Sequence, residues 1–428
     1  MTQAQIPKFQ KYRNLARFGA LIYLIGWTLM QFGLLAILYI APNPPFLFPN
    51  YFGRKSMTDF AKIYVTAKLA ASDHPEKVYD SDSMLKVAQE VLHTNEKPDS
   101  SESTAYTPHM AAAIAPISKL PIVTAYWLWL FASVASAITA MVLILKRERR
   151  LDNWSTTVIT LSILGSINSM TVLLAGQTTW YMFLFFCITY IGLSRRNDIA
   201  TGVGFALATI KPQYSFLYFA GLVAEKRWRA LILFSVLVAL MLTYAGFVLG
   251  WENIINYPKI INQNSTGDVT WFPHRMCNVR ALLCYLMPDQ IAYKIGFAIT
   301  LLSAPFVYKL WRGLGGNEEK RRWVFAITML LALTLGPHVN CYDCMLVGIP
   351  AVLTLPSGSL IDMWQLPSKP YRWWCFLLVA YAVLGWVLGS NNYVFIPLDV
   401  ALTICGFLHL RTLNSKPEGA NPEIEPAA

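Results

Sequence analysis

LIYLIGWTLMQFGLLAILYIA, residues 21–41, carries no charged side chain and is long enough to cross a bilayer as a helix. The stretch Met57-Thr58-Asp59-Phe60-Ala61-Lys62-Ile63-Tyr64 follows soon after. Asp59 is therefore expected just past a membrane exit, where a carboxylate keeps contact with water. In the hydrocarbon core the same charge would cost roughly 2.5 to 3.5 kcal/mol on insertion scales. At the exit it stays ionised and can face a lipid headgroup, a position suited to a general base acting on a lipid-borne substrate. A lone Asp here reads more simply as a solvated loop acid, so the rest of the chain decides whether Asp59 has company.

The 428 residues are 55% hydrophobic and 14% charged, with mean hydropathy +0.42. Soluble domains carry about 25% charged residues, so the chain reads as an all-α polytopic membrane protein. The net charge of +11 would suit nucleic acid. The basic residues, however, come in short clumps between apolar runs, as membrane-flanking loops do, and nucleic acid is rejected as a partner. Lys8, Lys11, Arg13 and Arg17 precede the first run. That run is too long for a signal-peptide core and no small-x-small site follows it, which predicts an uncleaved anchor with a cytoplasmic N-terminus.

Further spans are predicted near residues 121–145, 155–175, 178–194, 230–250, 291–311, 323–336, 343–356, 373–389 and 394–410. The clumps Lys146 to Arg150, Arg195-Arg196 and Lys320-Arg321-Arg322 then fall inside, as does the C-terminus. Residues 42–120 form an external loop, and 251–290 a second one. Within the first, Asp59 to Ser72 has helical spacing with Phe60, Ile63, Tyr64, Ala67 and Ala71 on one face, and Ser81 to His93 has a weaker pattern. Both read as interfacial helices lying on the bilayer. Residues 199–223 are apolar yet flanked on both sides by basic clumps, which a single span cannot leave on one side. Two half-helices of about 11 residues, about 17 Å each, meeting at Lys211-Pro212 can. Residues 1–412 make one integral-membrane domain, and 413–428 a Pro/Glu-rich tail predicted to be disordered.

This topology gathers Asp59, Tyr106, His109, Gln177, Lys211, Arg275, Arg280, His338 and Asp343 on one side. Lys211 is the most informative. An ammonium inside an apolar run needs a partner, a cavity or an anionic ligand, unless it snorkels to a headgroup. A lipid-borne phosphate suits it, and Arg275 and Arg280 could grip the same phosphate bidentately or serve as rim charges. Gly176-Gln177 reads as a tight turn, with Gln177 as cap or ligand group. His338 orients a substrate or a carboxylate, or is a plain loop histidine. Cys277, Cys284, Cys341 and Cys344 lie outside, where a disulfide of unreadable connectivity is favoured over a redox pair, plain thiols or a zinc site. No Walker A, G-x-S-x-G or H-E-x-x-H motif is present.

In chain order, Asp59-Phe60, Val78-Tyr79-Asp80, Tyr106-Thr107-Pro108, Leu120-Pro121 with the Trp127 span, Gly176-Gln177, Lys211-Pro212 with Arg227-Trp228-Arg229, Asn262-Gln263-Asn264-Ser265, and Pro337-His338 to Asp343 form an ordered set. The set resembles glycosyltransferase family 87, the polyprenol-phosphate-mannose-dependent mannosyltransferase-like proteins of the C-type glycosyltransferase fold, over about residues 15–360. Where that family commonly shows a second proline, this chain has His109. The resemblance implies a bundle of about 10–12 transmembrane helices. It implies inverting transfer of mannose or a similar hexose or pentose from a polyprenyl-phosphate donor to a lipid or glycan acceptor, at the external face of the inner or plasma membrane. Asp59 would take the acceptor proton. Lys211, with Arg280, would neutralise the departing phosphate, and Tyr106, Gln177 and His338 would hold sugar or phosphate, with Arg275, His109 and Asp343 grouped beside them. Apart from the lipid-linked sugar as co-substrate, no cofactor or metal is implied. The competing readings are a transporter or flippase for a lipid-linked or small anionic solute, since broken helices also occur there, and a non-catalytic assembly protein of envelope polysaccharide synthesis. The absence of an inverted repeat and the large external loops favour the transferase.

Overall fold

The structure is a computed structural model that describes residues 18–19, 21–31, 33, 46–49, 55–93, 106–148, 152–264, 276–356, 366, 368–387 and 392–415. The second half of the first expected span, Arg275 and the tail beyond residue 415 lie outside the described residues.

The described residues are almost wholly helical. After α1 (Leu21–Gln31) a small antiparallel ribbon pairs β1 (Leu47–Pro49) with β2 (Lys55–Met57). Then follow α2 (Asp59–Ala70), α3 (Ser81–Leu92), α4 (Pro108–Ile114), α5 (Ile122–Arg147), α6 (Asn153–Leu164), α7 (Ile167–Ala175) and α8 (Thr179–Ser194). Two short helices come next, α9 (Asp198–Leu207) and α10 (Pro212–Ala224), and after them α11 (Trp228–Leu249), α12 (Trp251–Asn264), α13 (Val279–Leu283) and α14 (Asp289–Arg312). The last are α15 (Glu318–Leu335), α16 (Gly348–Thr354), α17 (Lys369–Val387) and α18 (Asn392–Asn414).

Among the described residues four helices are long and apolar enough to cross a membrane: α5, α11, α14 and the Val394–Asn414 part of α18. A fifth crossing results if α6 and α7, bent by 46° at their junction, count as one broken span. The protein is therefore a multi-pass, all-α membrane protein. The other segments expected as crossings are helical too, but shorter. The outer helices expose large apolar side chains, Phe131 on α5, Phe247 on α11 and Leu302 on α14 among them, which is the surface a lipid-facing helix presents. In contrast, α8, α10 and α15 lie inside. Their rings meet at tilted or edge-on angles: Tyr218 packs against Phe186, Phe325 and Trp311 of α14, and Phe325 also meets Trp311.

The break at Lys211-Pro212 has a local cause. Pro212 lacks an N–H and its fixed φ suits the first helical position, so it starts α10 and ends what precedes it. Ala208–Ile210 tighten into a 3-10 turn, and Lys211 caps α10 in a non-helical conformation. Just beyond α10, Arg227 pairs with Asp198 at the start of α9 (2.9 Å). The far ends of the two short helices are thus tied together, and they form a hairpin with Lys211 at its tip. The basic clumps also meet at one end of the molecule: Arg147 bonds to Ser194 (2.9 Å) and Glu318 (3.4 Å), and Arg322 pairs with Glu148 (2.9 Å).

The expectation for α2 needs correction. An interfacial helix buries one face, but α2 buries Phe60, Ala61, Ile63, Tyr64, Val65, Thr66, Ala67, Leu69 and Ala70, while Ala71 is exposed. It is covered by α3, α4 and the 3-10 turn Ala115–Lys119, so it is a core helix. The expected one-sided pattern belongs to α3, which buries only Met84 and Ala88.

Close backbone approach fixes α9 against α8. A Cβ on Gly204 would lie 2.8 Å from the Thr189 nitrogen and 2.9 Å from the Phe185 carbonyl oxygen. Small residues at such crossings let helices meet at short range. Gly204→Leu should force α9 away from α8 and lower stability by about 1–3 kcal/mol. A thermal melt of the detergent-purified variant tests this, and an unchanged midpoint would contradict the close crossing.

Candidate active site

Asp59 is placed by its neighbours on both sides. Thr58 caps α2, its hydroxyl accepting from the Ala61 N–H (3.1 Å), which makes Asp59 the first helical residue. A carboxylate in a first helical turn is favoured by the helix dipole. Tyr106 donates from its hydroxyl to the Asp59 carbonyl (3.3 Å). On the other side stands the turn after α7. Gly176 ends that helix at φ +71°, and a Cβ there would sit 2.4 Å from the Phe60 Cβ. Two constraints, a left-handed backbone and a contact with no room, therefore both require glycine.

That turn aims Gln177 across the molecule. Its side-chain amide donates to the Tyr342 hydroxyl (2.7 Å), and Asn340 donates to the same oxygen (2.7 Å). A phenol that accepts two N–H bonds keeps its own proton to donate. Asp59 and Asp343 both lie close enough for their charges to act on this hydroxyl. Tyr342 is thus the residue on which the two halves of the site converge.

The second half is the hairpin tip. Lys211 donates from Nζ to Asp343 Oδ1 (2.7 Å) and to Thr179 Oγ1 (3.3 Å), and the ammonium stands 5.3 Å from the centre of the Tyr342 ring. Asp343 also accepts from Thr179 Oγ1 (2.5 Å) and from the Tyr214 hydroxyl (2.7 Å). The Asp343 side chain is 2% exposed and that of Lys211 13%. Lys211 therefore has a protein carboxylate as its partner. An ammonium carries three N–H donors, and two are directed at Asp343 and Thr179, which leaves one for another acceptor. Asp343, grouped above with the substrate ligands, is instead enclosed and holds Lys211 in place.

Packing joins the two halves. Ile63 of α2, Met110 and Ile114 of α4, and Ile210 just before Lys211 belong to one apolar cluster. His109 adds a polar link, its Nε2 lying 3.2 Å from Thr107 Oγ1 and 3.3 Å from Thr209 Oγ1 at the hairpin tip. Its Nδ1 is buried and has no hydrogen-bond partner among the described residues, and burial pulls the ring pKa from 6.5 down to about 4.

The remaining expected residues stand apart. Arg280 is wholly buried and bound bidentately to Asp289 (2.9 and 3.1 Å), donates to the Pro337 carbonyl (3.1 Å), and lies over the Tyr293 ring. Its guanidinium is spent on the fold, bracing the backbone ahead of His338. His338 meets the cluster through its carbonyl, which accepts from Gln213 (3.0 Å), and its ring lies 3.5 Å from Asn340. Arg275 is outside the described residues. The expected disulfide is not formed: the cysteines are thiols, with Cys277 against Cys341 and Cys344, and Cys284 hydrogen-bonded to Asp289. Among the described residues no group of three or more His, Cys, Asp or Glu side chains is arranged to hold a metal ion.

Thr179, Tyr214 and Tyr342 escaped the sequence reading. Tyr214 had a usable signal, since it lies three residues beyond Lys211 and polar side chains at that spacing share a helix face; Thr179, two residues past Gln177 at the start of α8, had none. Tyr342 was hidden by the cysteines flanking its segment.

Two predictions follow from this geometry. Removing one partner of a buried ion pair strands the other charge, at a cost of about 3–5 kcal/mol. Asp343→Asn and Lys211→Met should each lower the thermal midpoint strongly, and the double variant should recover part of the loss; additive losses would show the two side chains to be uncoupled. His109 adds a pH effect. The unfolded chain takes up a proton as pH falls through 6.5, but the folded ring does not until about 4. Stability is full above 6.5 and declines as pH drops toward 4. His109→Gln should flatten the dependence of the midpoint on pH within that window, and an unaltered slope would assign the acid lability elsewhere.

Residues 104–337 match the pattern of glycosyltransferase family 87. This stretch holds Tyr106, His109, Gln177, Thr179, Lys211 and Tyr214, and leaves Asp59 before it and Tyr342 and Asp343 after it. No curated protein and no solved structure matches the chain. Because the match spans more than half of the sequence and contains the whole hairpin, the protein belongs to glycosyltransferase family 87 and is a membrane glycosyltransferase.

Proposed function

We propose that the protein transfers a sugar, mannose or a similar hexose or pentose, from a polyprenyl-phosphate donor to a lipid or glycan acceptor, with inversion at the anomeric carbon. The reaction takes place at the external face of the inner or plasma membrane, with both termini cytoplasmic. The single observation that carries this reading is the convergence on Tyr342. The carboxylate at the start of α2 acts on its hydroxyl, and the pinned ammonium at the hairpin tip stands 5.3 Å from the centre of its ring.

In the proposed step the acceptor hydroxyl oxygen attacks the anomeric carbon, and its proton passes to the Asp59 carboxylate. The bond from that carbon to the phosphate oxygen breaks, and its electron pair stays on the phosphate. The remaining N–H of Lys211 meets the charge that develops there. Lys211 is held by Asp343 and Thr179 before substrate arrives, so little reorganisation is needed. Tyr342 keeps a proton for a sugar or phosphate oxygen, with Gln177 and Asn340 fixing its position. Tyr106 steadies the backbone at Asp59. Arg280 has no part in the step, because Asp289 occupies it.

The test is incubation of purified protein with radiolabelled polyprenyl-phosphate sugars and a lipid extract, followed by identification of the labelled product and its anomeric configuration. Asp59→Asn should reduce transfer by about 10²- to 10⁴-fold, the range for a lost general base, while expression and donor binding survive. Normal turnover by that variant would remove Asp59 from the mechanism, and a product of retained configuration would overturn the single-displacement reading.

A further inference from the structure

The end of the hairpin away from Lys211 opens on a cavity of about 640 Å³, within the size range of ligand clefts. It lies where α8 meets α9, where α10 meets α11, and where α14 ends. The 13 residues of α10 separate it from Lys211 by about 20 Å at 1.5 Å per residue, so it is distinct from the transfer site.

Its walls carry six cations and two acids: Arg196, Lys226, Arg227, Arg229, Arg312 and Arg321 against Asp198 and Glu225. Both acids are already engaged, Asp198 with Arg227 (2.9 Å) and Glu225 with Arg321 (2.9 Å). Arg196, Lys226, Arg229 and Arg312 are exposed and have no carboxylate at ion-pair distance among the described residues. Four like charges around one opening repel one another unless an anion enters.

The backbone shows the same concentration of charge. Arg196 and Lys226 stand at φ +54° and +56°, two of the three non-glycine residues with positive φ among those described. Positions of this kind end helices and are ordinarily filled by glycine or asparagine; here both carry cations into the cavity. The facing turn, Gly315-Gly316, does use glycine, and a Cβ on Gly316 would stand 4.0 Å from the Arg196 guanidinium.

The surroundings identify the anion's source. Two of the membrane-crossing helices have their ends here, α11 beginning at Trp228 and α14 ending at Arg312. Trp228, on the cavity wall, is 55% exposed, and an exposed indole at a span end sits at headgroup level. A basic pocket between spans at this depth faces lipid phosphates, and such pockets take anionic headgroups. A generally basic surface accounts for the sign of these residues, but not for a walled cavity whose acids are consumed internally. We propose that this cavity binds the phosphate headgroup of an anionic phospholipid, with Arg196, Lys226, Arg229 and Arg312 as its ligands and Trp228 at the glycerol level.

The test uses the full-length protein purified in detergent. Phosphatidylglycerol, phosphatidylcholine of the same chain length, and inorganic diphosphate are each titrated, with bound species counted by native mass spectrometry. Phosphatidylglycerol should bind at least tenfold more tightly than phosphatidylcholine, and Arg229→Gln/Arg312→Gln, both at exposed positions, should erase that preference. Equal binding of the two lipids, or a preference that survives the double variant, would overturn the proposal. So would tight diphosphate binding without any phosphatidylglycerol preference, which would mark a site for a soluble anion. Should the double variant fail to fold, a photo-crosslinking phosphatidylglycerol analogue is applied to the unaltered protein. Crosslinks on the peptides holding Trp228 and Gly315 are expected, and labelling confined to other regions would reject the site.

Discussion

A single ion pair, Lys211 with Asp343, organises the interior of this protein. A lysine placed within an apolar hairpin must either reach water or meet an anion. Here the hairpin turns back at Lys211, and the carboxylate arrives from a segment 132 residues away in sequence. The pair fixes the hairpin against the loop ahead of α16 and brings Tyr342 over the ammonium. Tyr214 and Thr179 complete the coordination of Asp343, so three elements, α8, α10 and the 341–347 turn, share one polar knot inside an apolar bundle. A buried pair of this kind contributes little net stability; what it specifies is where each chain segment lies.

The part of this arrangement that was legible in the sequence is the part set by local or parity arguments. Basic clumps on both flanks of residues 199–223 required a turn-back, and Pro212 located it. Gly176 announced its turn. The helical spacing of α2 was correct as to helix but misleading as to environment. Phe60, Ile63, Tyr64 and Ala67 do face inward, yet Ala61, Val65 and Ala70 are buried as well, because α4 and the turn after it close over the opposite face. Periodicity reports one buried face, and a small residue such as alanine fits a second covered face without leaving a mark in the pattern.

What was not legible depended on long-range pairing. Arg280 looked like a phosphate clamp because its type and its place on an external loop allow one; Asp289, only nine residues on, takes up the guanidinium instead. Asp343 looked like a ligand-binding acid and proved to be the counter-ion of Lys211. The cysteines suggested a disulfide from their number and side of the membrane, whereas three of them lie together as buried thiols beside the segment that carries Tyr342 and Asp343. In each case residue type set the possible chemistry, and the partner, supplied by the fold, chose among the possibilities.

The hairpin is fastened twice, by Arg227 and Asp198 where its legs begin and by Lys211 and Asp343 where they meet. A beam gripped at both extremities cannot flex at one without loading the other. One leg, α9, is wedged against α8, and the other, α10, packs on α14 and α15, so both grips are set in a close-packed interior, which transmits strain rather than absorbing it. The grips lie about 20 Å apart along the single helix α10, which makes that helix the physical link between the ammonium and the basic end of the molecule.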